Sequence, residues 1–217
     1  INNKILNQLI KKNKINSKIK IVNYKKYLNY FKLIKNNYFK NLNNMKNLSF
    51  IFEISKILKI NFKTVIDATN KFKSLDYRQQ IIYNSKKLMI INDSKSTSFS
   101  STKLLLQSFE NIYWIVGGLA KKGDKFKLER KYFKKINAYI YGKDRNLFKK
   151  LLKKKIKINV TKTLSDSLKL IFKDKDKNES IQKKIILFSP SAASFDQFKN
   201  FEVRGLYFNK IIKNYIS

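Results

Sequence analysis

Five short apolar runs constrain this chain more than any other feature. They are 87–91 (KLMII), 112–116 (IYWIV), 138–141 (AYIY), 156–160 (IKINV) and 184–188 (KIILF). Short continuous runs of this kind suit strands buried on both faces. Between them lie stretches with helical spacing of apolar residues, at 99–109, 127–135, 144–153 and 163–172, and a last one at 196–214. Strand alternating with helix predicts an α/β fold, with a mostly parallel sheet and helices on both faces.

The pattern begins near residue 75. Before it, 47–58 carries helical spacing of Leu48, Ile51, Phe52, Ile54 and Leu58, and 62–72 is a second helix packing through Val65, Ile66, Ala68 and Phe72. In residues 1–40, Ile5-Leu6 and Leu9-Ile10 suggest a short amphipathic helix, and Lys18–Val22 suits a strand. Tyr24, Tyr27, Tyr30 and Phe31 alternate with lysines. Rings and ammonium groups interleaved in this way can bind single-stranded nucleic acid, and they equally suit a half-exposed helix. All five glycines and the single proline, Pro190, lie in the second half.

Composition narrows the chemistry. The net charge is +35, which by itself points to nucleic acid or an anionic surface. Yet the basic residues are nearly all lysine, and Lys, Asn, Ile, Phe and Tyr are abundant together. All have A/T-rich codons, so drift of the coding sequence accounts for the charge. Arginine, the usual reader of bases and phosphates, is scarce. No cysteine is present, which excludes disulfides, thiolate metal sites and a cysteine nucleophile. No histidine is present either, so a histidine base and a histidine-ligated zinc are excluded. No apolar run approaches the roughly 20 residues of a membrane helix, and no secretory signal is visible. The first residue is Ile1, and the expectation is a fragment of a longer protein.

The special residues recur after the predicted strands. Strand 87–91 runs into Asn92-Asp93-Ser94-Lys95-Ser96-Thr97, strand 112–116 into Gly117-Gly118-Leu119-Ala120-Lys121, strand 138–141 into Gly142, and strand 184–188 into Ser189-Pro190-Ser191-Ala192-Ala193-Ser194. In open parallel sheets ligands bind outside the carboxyl ends of the strands. Asp93 is placed either to accept hydrogen bonds from a ribose or to cap the next helix. Lys95 and Lys121 suit a carboxylate or phosphate, or are solvated surface. Gly117-Gly118 allows close backbone approach or a tight turn. Ser194 and Thr97 add hydroxyls, and Phe198 and Phe201 belong to the last helix. No Walker or dinucleotide-binding glycine motif is present, and no clustered carboxylates suggest a metal pair.

Four motifs then resemble one family. Residues 189–205, SPSAASFDQFKNFEVRG, are similar to the C-terminal signature of the Mur ligases that add D-glutamate to UDP-N-acetylmuramoyl-L-alanine. Ile91–Thr97 resembles the family's N-D-S-K-x-T motif. Gly117-Gly118 followed by Lys121 resembles its G-G-x-x-K loop. Phe72-Lys73 through Arg78 resembles its inter-domain joint F-x-G-L-x-H-R. Tyr77 departs from the joint's histidine. Lys46-Asn47 stands where His-Asn is common, and Phe50 where a second asparagine is usual.

The resemblance implies a Rossmann-like C-terminal domain over residues 75–217, preceded by a remnant of the central ATPase domain over residues 1–74. It implies an ATP-dependent, amide-forming ligase of peptidoglycan precursor synthesis, cytoplasmic and monomeric at full length. Its substrates are D-glutamate and UDP-N-acetylmuramoyl-L-alanine, with ATP and Mg2+ held mainly by domains this chain lacks. On matching positions Asn47, Arg78 and Asp93 bind nucleotide. Lys121, Thr97, Ser194 and Phe201 hold D-glutamate, and Lys95 lies close to the reacting groups. The P-loop, a carbamylated lysine and the magnesium ligands fall outside this chain, so no catalytic residue is assigned and the chain alone is expected to be inactive. The competing reading is a basic nucleic-acid-binding α/β module. On the family reading the chain has no specific nucleic acid partner and no membrane partner.

Overall fold

The computed structural model describes residues 20–40, 42–73, 75–176 and 182–216. The chain divides into two compact units, Ile1–Ser74 and Leu75–Ser217. The helix expected around Ile5–Ile10 lies outside the described residues. Of the strand expected at Lys18–Val22, the described residues from Lys20 onward form no strand.

In the first unit a 3-10 turn, Tyr24–Tyr27, runs into the short helix α1 (Leu28–Phe31). A second turn, Asn37–Lys40, precedes α2 (Leu42–Ile57), and α3 (Phe62–Lys71) follows. Tyr27, Ile34, Leu48, Phe52, Val65 and Ile66 form the core. The Tyr27 ring stacks on Phe52 at 5.2 Å, and its hydroxyl donates to Glu53, which also pairs with Lys20 at 2.6 Å. Tyr30 meets Phe62 edge-on at 4.9 Å. Of the lysine-interleaved aromatics, Tyr27 therefore turns inward into this core and Phe31 packs against it, whereas Tyr30 stays exposed. Helix α2 buries Leu48 and Phe52 but leaves Phe50, Ile51, Ile54 and Ile57 exposed. A groove of about 480 Å³ is lined by Tyr38, Asn47, Ile51, Ile60, Val65 and Phe72, among others.

The second unit is the predicted α/β layer structure. In chain order it comprises β1 (Gln80–Asn84), β2 (Leu88–Asn92), α4 (Phe99–Ser108), β3 (Ile112–Gly117), β4 (Ile136–Tyr141), α5 (Arg145–Leu152), β5 (Lys157–Val160), α6 (Leu164–Asp176), β6 (Lys184–Phe188) and α7 (Phe201–Ile216). The six strands lie in the order β1-β2-β6-β3-β4-β5. All pairings are parallel except that of β1 with β2. Alternate residues of each strand serve opposite faces. Ile112, Trp114 and Val116 pack with Phe99, Leu106, Phe148 and Leu152 of α4 and α5. Tyr113 and Ile115 pack with Leu168, Ile171, Phe208 and Ile212 of α6 and α7. Each fully buried side chain of this size contributes about 1.5–3 kcal/mol.

Three departures from the expected elements have local causes. Strand β1 was not expected, because it is a half-exposed edge strand whose apolar run, Ile81-Ile82-Tyr83, is only three residues long. The helix expected at 127–135 is a 3-10 segment confined to Arg130–Lys135. The last helix begins at Phe201 rather than near 196. The Ser194 carbonyl accepts the N–H groups of both Gln197 and Phe198, closing a turn, and Asn200 Oδ1 then takes the Val203 N–H at 2.8 Å.

Two glycines give a test of the packing. Gly117 and Gly123 both have positive φ, at 138° and 76°. A Cβ on Gly117 would lie 2.0 Å from the Tyr141 carbonyl oxygen, whereas a Cβ on Gly123 meets nothing within 4 Å. Gly117→Ala is expected to cost about 3 kcal/mol or more, from steric overlap as well as backbone strain. Gly123→Ala should cost about 1 kcal/mol, from strain alone. Urea midpoints at unchanged m-value measure both, and equal losses would refute the close β3–β4 approach.

Candidate ligand site at the carboxyl edge of the sheet

The strand order sets the site. Strands β2, β6, β3 and β4 are neighbours in that order, so the loops following them stand side by side. Backbone hydrogen bonds join these loops. The Asp93 N–H donates to Phe188 O at 2.7 Å and the Gly117 N–H to Pro190 O at 2.9 Å. Leu119 and Ala193 exchange a pair at 3.0 and 2.9 Å, and the Asp144 N–H donates to Gly118 O. The four punctuated loops of the sequence thus form one edge.

Asp93 is 6% exposed. Its Oδ2 accepts from Ser189 Oγ at 2.7 Å and its Oδ1 from the Gln79 N–H at 3.1 Å. Burial pushes the carboxyl up to about 6; the two hydrogen bonds and the charges of Arg78 and Arg204 oppose this rise. Asp93 does not cap α4. Ser98 does, in a reciprocal capping box with Ser101. Arg78 is exposed and sits between two residues in the left-handed region, Tyr77 (φ 60°) and Gln79 (φ 51°). The Tyr77 carbonyl accepts the Lys95 N–H at 3.0 Å. A Cβ on Gly205 would lie 2.2 Å from the Tyr77 ring, so only glycine at 205 leaves room for that ring.

Lys95 is half-buried, and its Nζ lies 3.8 Å from the centre of the Phe201 ring, a cation–π contact. Phe198 turns elsewhere and packs on Tyr207 and the α6–α7 core. Thr97 and Lys121 are exposed on their loops, and Ser194 is 3% exposed. The loops of this edge and the start of α7 carry Asp93, Lys95, Thr97, Lys121, Ser194 and Phe201, of which Lys95 and Phe201 are in contact. Asn47 belongs to the first unit, where it is exposed and lines the groove of that unit.

Two features escaped sequence reasoning. Arg204, on α7, is fully buried. It donates to Ser94 Oγ at 3.1 Å, to Ser94 O at 2.6 Å and to Ala192 O at 3.0 Å, tying the loops after β2 and β6 to the last helix. Burial lowers its pKa from the ordinary value, against the pull of Tyr141, Asp196 and Asp93. A signal existed: only four of the 49 basic residues are arginine, and both Arg78 and Arg204 are at this edge. The second feature is a cluster of buried hydroxyls around Thr102, which has no sequence signature. Among the described residues, no group of three or more His, Cys, Asp or Glu side chains is placed to hold a metal ion, and no helix is long and apolar enough to cross a membrane.

No family model matches the chain. Curated relatives do. The chain is 33% identical over 160 residues to UDP-N-acetylmuramoylalanine--D-glutamate ligase of Wolbachia sp. subsp. Brugia malayi, covering 74% of this chain and 32% of that protein. It is 34% identical over 165 residues to the protein of the same name from Rickettsia felis, covering 76% and 36%. With the one from Buchnera aphidicola subsp. Schizaphis graminum it shares 38% over 164 residues, covering 74% and 36%. Among solved structures, MurF from Acinetobacter baumannii matches with a TM-score of 0.58 and 12% identity, over 78% of this chain and 38% of that one. UDP-N-acetylmuramate-alanine ligase MurC from Thermotoga maritima matches with a TM-score of 0.54 and 15% identity, over 80% and 38%. At these identities the structural matches speak for the fold alone. The chain spans about a third of the length of the curated relatives it matches, and on those relatives and its α/β architecture it belongs to the Mur ligase family.

Proposed function

We propose that this chain is the C-terminal part of a ligase that adds D-glutamate to UDP-N-acetylmuramoyl-L-alanine, and that the carboxyl edge of its sheet is the D-glutamate half of the active site. The observation that supports this reading is the strand order, which sets the loop bearing Ser194 between the loop bearing Lys95 and Thr97 and the loop bearing Lys121. D-Glutamate carries two carboxylates, and such groups suit both. Phe201, beneath the Lys95 ammonium, helps to aim it across the edge. Asp93 and Arg78 would hold the ribose side of a nucleotide. Each Asp93 oxygen accepts one hydrogen bond within the protein and keeps a second lone-pair direction.

The first unit is, on this reading, the end of the family's central ATPase domain, with Asn47 approaching adenine. Its exposed apolar helix face at Phe50, Ile51, Ile54 and Ile57 supports a role inside a larger body. ATP phosphates and Mg2+ would be held by the portion of the ligase this chain does not span. In the full ligase ATP phosphorylates the carboxylate of UDP-N-acetylmuramoyl-L-alanine. The amine of D-glutamate attacks the acyl carbon, the amide bond forms and phosphate leaves. The 217-residue chain by itself carries no ligase activity.

Lys121→Ala is expected to weaken D-glutamate binding about tenfold or more, the scale of a lost charged hydrogen bond. Calorimetric titration of the chain with D- and L-glutamate reads this directly. In a reconstituted full-length ligase the same change should raise the KM for D-glutamate more than that for ATP, and unchanged values for both would count against the assignment.

Asp93 gives a pH dependence. Its folded pKa is above the ordinary value, so the folded form takes up the proton first. The stability contributed by this group is present below the ordinary carboxylate range, falls as pH rises, and is lost by about pH 6. The full difference is on the order of 3 kcal/mol. Urea titrations from pH 4 to 7 should show that decline, and Asp93→Asn should flatten it. The ionised form is the stronger acceptor for ribose hydroxyls, so ADP binding should strengthen between pH 5 and 7. An ADP affinity independent of pH would exclude the ribose role.

A further inference from the structure

Beneath the loops that carry these ligand groups, three hydroxyls meet at a fourth. Thr102 Oγ1 lies 2.6 Å from Ser96 Oγ, 2.7 Å from Ser189 Oγ and 2.6 Å from Ser191 Oγ. All four residues are 3% exposed or less. A hydroxyl offers one proton and two lone pairs, so three partners saturate Thr102.

Asp93 sets the direction of the bonds that run through Ser189 to Thr102. Ser189 Oγ gives its only proton to Asp93 Oδ2 at 2.7 Å. Between Ser189 and Thr102 the donor is then Thr102. With that proton committed, Thr102 accepts from both Ser191 and Ser96. Ser101 Oγ, which gives its own proton to Ser98 O at 2.7 Å, lies 2.8 Å from Ser96 Oγ in the capping turn of α4 and is a second acceptor for the Ser96 proton. One ionised carboxylate thus orders the hydroxyls of Ser189, Thr102 and Ser191, and with Ser96 the buried cluster spans three segments. Of these segments, one bears Asp93, Lys95 and Thr97 and another leads to Ser194. The groups facing Asp93 from elsewhere are the Gln79 N–H and the charges of Arg78 and Arg204, and none of them belongs to the hydroxyl cluster.

We propose that Thr102 is a positioning residue that couples the nucleotide carboxylate Asp93 to the D-glutamate groups, by anchoring both loops on one buried oxygen. The proposal rests on the roles assigned above to Asp93, Lys95, Thr97 and Ser194. Its physical content is cooperative. Donation by Thr102 polarises the Ser189 hydroxyl and strengthens its bond to the carboxylate. Without it, Ser189 holds Asp93 less firmly and the loops after β2 and β6 lose their shared anchor.

The test uses the 217-residue chain, carbon-labelled for an NMR titration of Asp93, together with D-glutamate binding. Thr102→Val keeps the shape and removes the hydroxyl, and Thr102→Ser restores it. The valine variant should raise the Asp93 pKa by about half a unit or more and weaken D-glutamate binding at least about threefold, with both recovered in the serine variant. A role in packing alone would move neither in this pattern. If Thr102→Val does not fold, Ser96→Ala removes one spoke and should move the Asp93 titration upward by less. A folded valine or alanine variant in which Asp93 titrates as in the parent overturns the coupling. So does unchanged D-glutamate affinity in a folded valine variant. If the parent chain binds no D-glutamate, the assignment of the edge to that amino acid fails, and the Asp93 titration alone decides the role of Thr102.

Discussion

The insertion of β6 between β2 and β3 is the constraint on which the rest of the second unit depends. It pairs in parallel with both neighbours, although β3 to β5 precede it in the chain. The last strand therefore completes the middle of the sheet. Its side chains Ile185, Ile186, Leu187 and Phe188 are buried on both faces, so the two halves of the core close only when it is in place. Its carboxyl end delivers Ser189–Ser194 between the loops after β2 and β3. Without this crossover the motifs of the site would remain on separate edges.

Polar groups then hold what the apolar core has brought together. Arg204 reaches from α7 to the main chain at Ser94 and Ala192. Asn92 Nδ2 donates to Gly205 O at 2.9 Å and to Asn209 Oδ1 at 2.7 Å. Ser94 Oγ donates to Phe201 O at 2.8 Å. The start of α7, and with it Phe201, is fixed relative to Lys95 by these bonds. Buried polar groups of this kind stabilise only when their partners are present, so they make the loop arrangement specific rather than merely compact.

Much of the α/β unit was legible because burial on both faces of a strand demands an uninterrupted apolar run. Four such runs correspond to strands β2, β3, β4 and β6 within one or two residues, and the interrupted run 156–160 corresponds to the part-exposed edge strand β5. Strand β1 was not legible, because an edge strand half in water needs no such run. The start of α7 was not legible either, since the turn at Ser194–Asn200 is closed by backbone groups that every residue carries. For the candidate site, the loop residues Asp93, Lys95, Thr97, Lys121 and Ser194 stood out by position after strands. Arg204 and Thr102 did not, because their roles come from partners far away in the chain.

The sequence by itself determined which segments are buried and which interrupt them, because a residue's solvation and backbone preferences are local properties. It also identified the family, through motifs whose order and chemistry survive a heavily biased composition. Only the tertiary structure decided which interruptions are neighbours, that Tyr27 of the aromatic–lysine run is core while Tyr30 is exposed, and that Asp93 is buried against the Ser189 hydroxyl rather than capping a helix. Those outcomes depend on strand order and on long-range hydrogen bonds, and neither is encoded in the properties of any one segment.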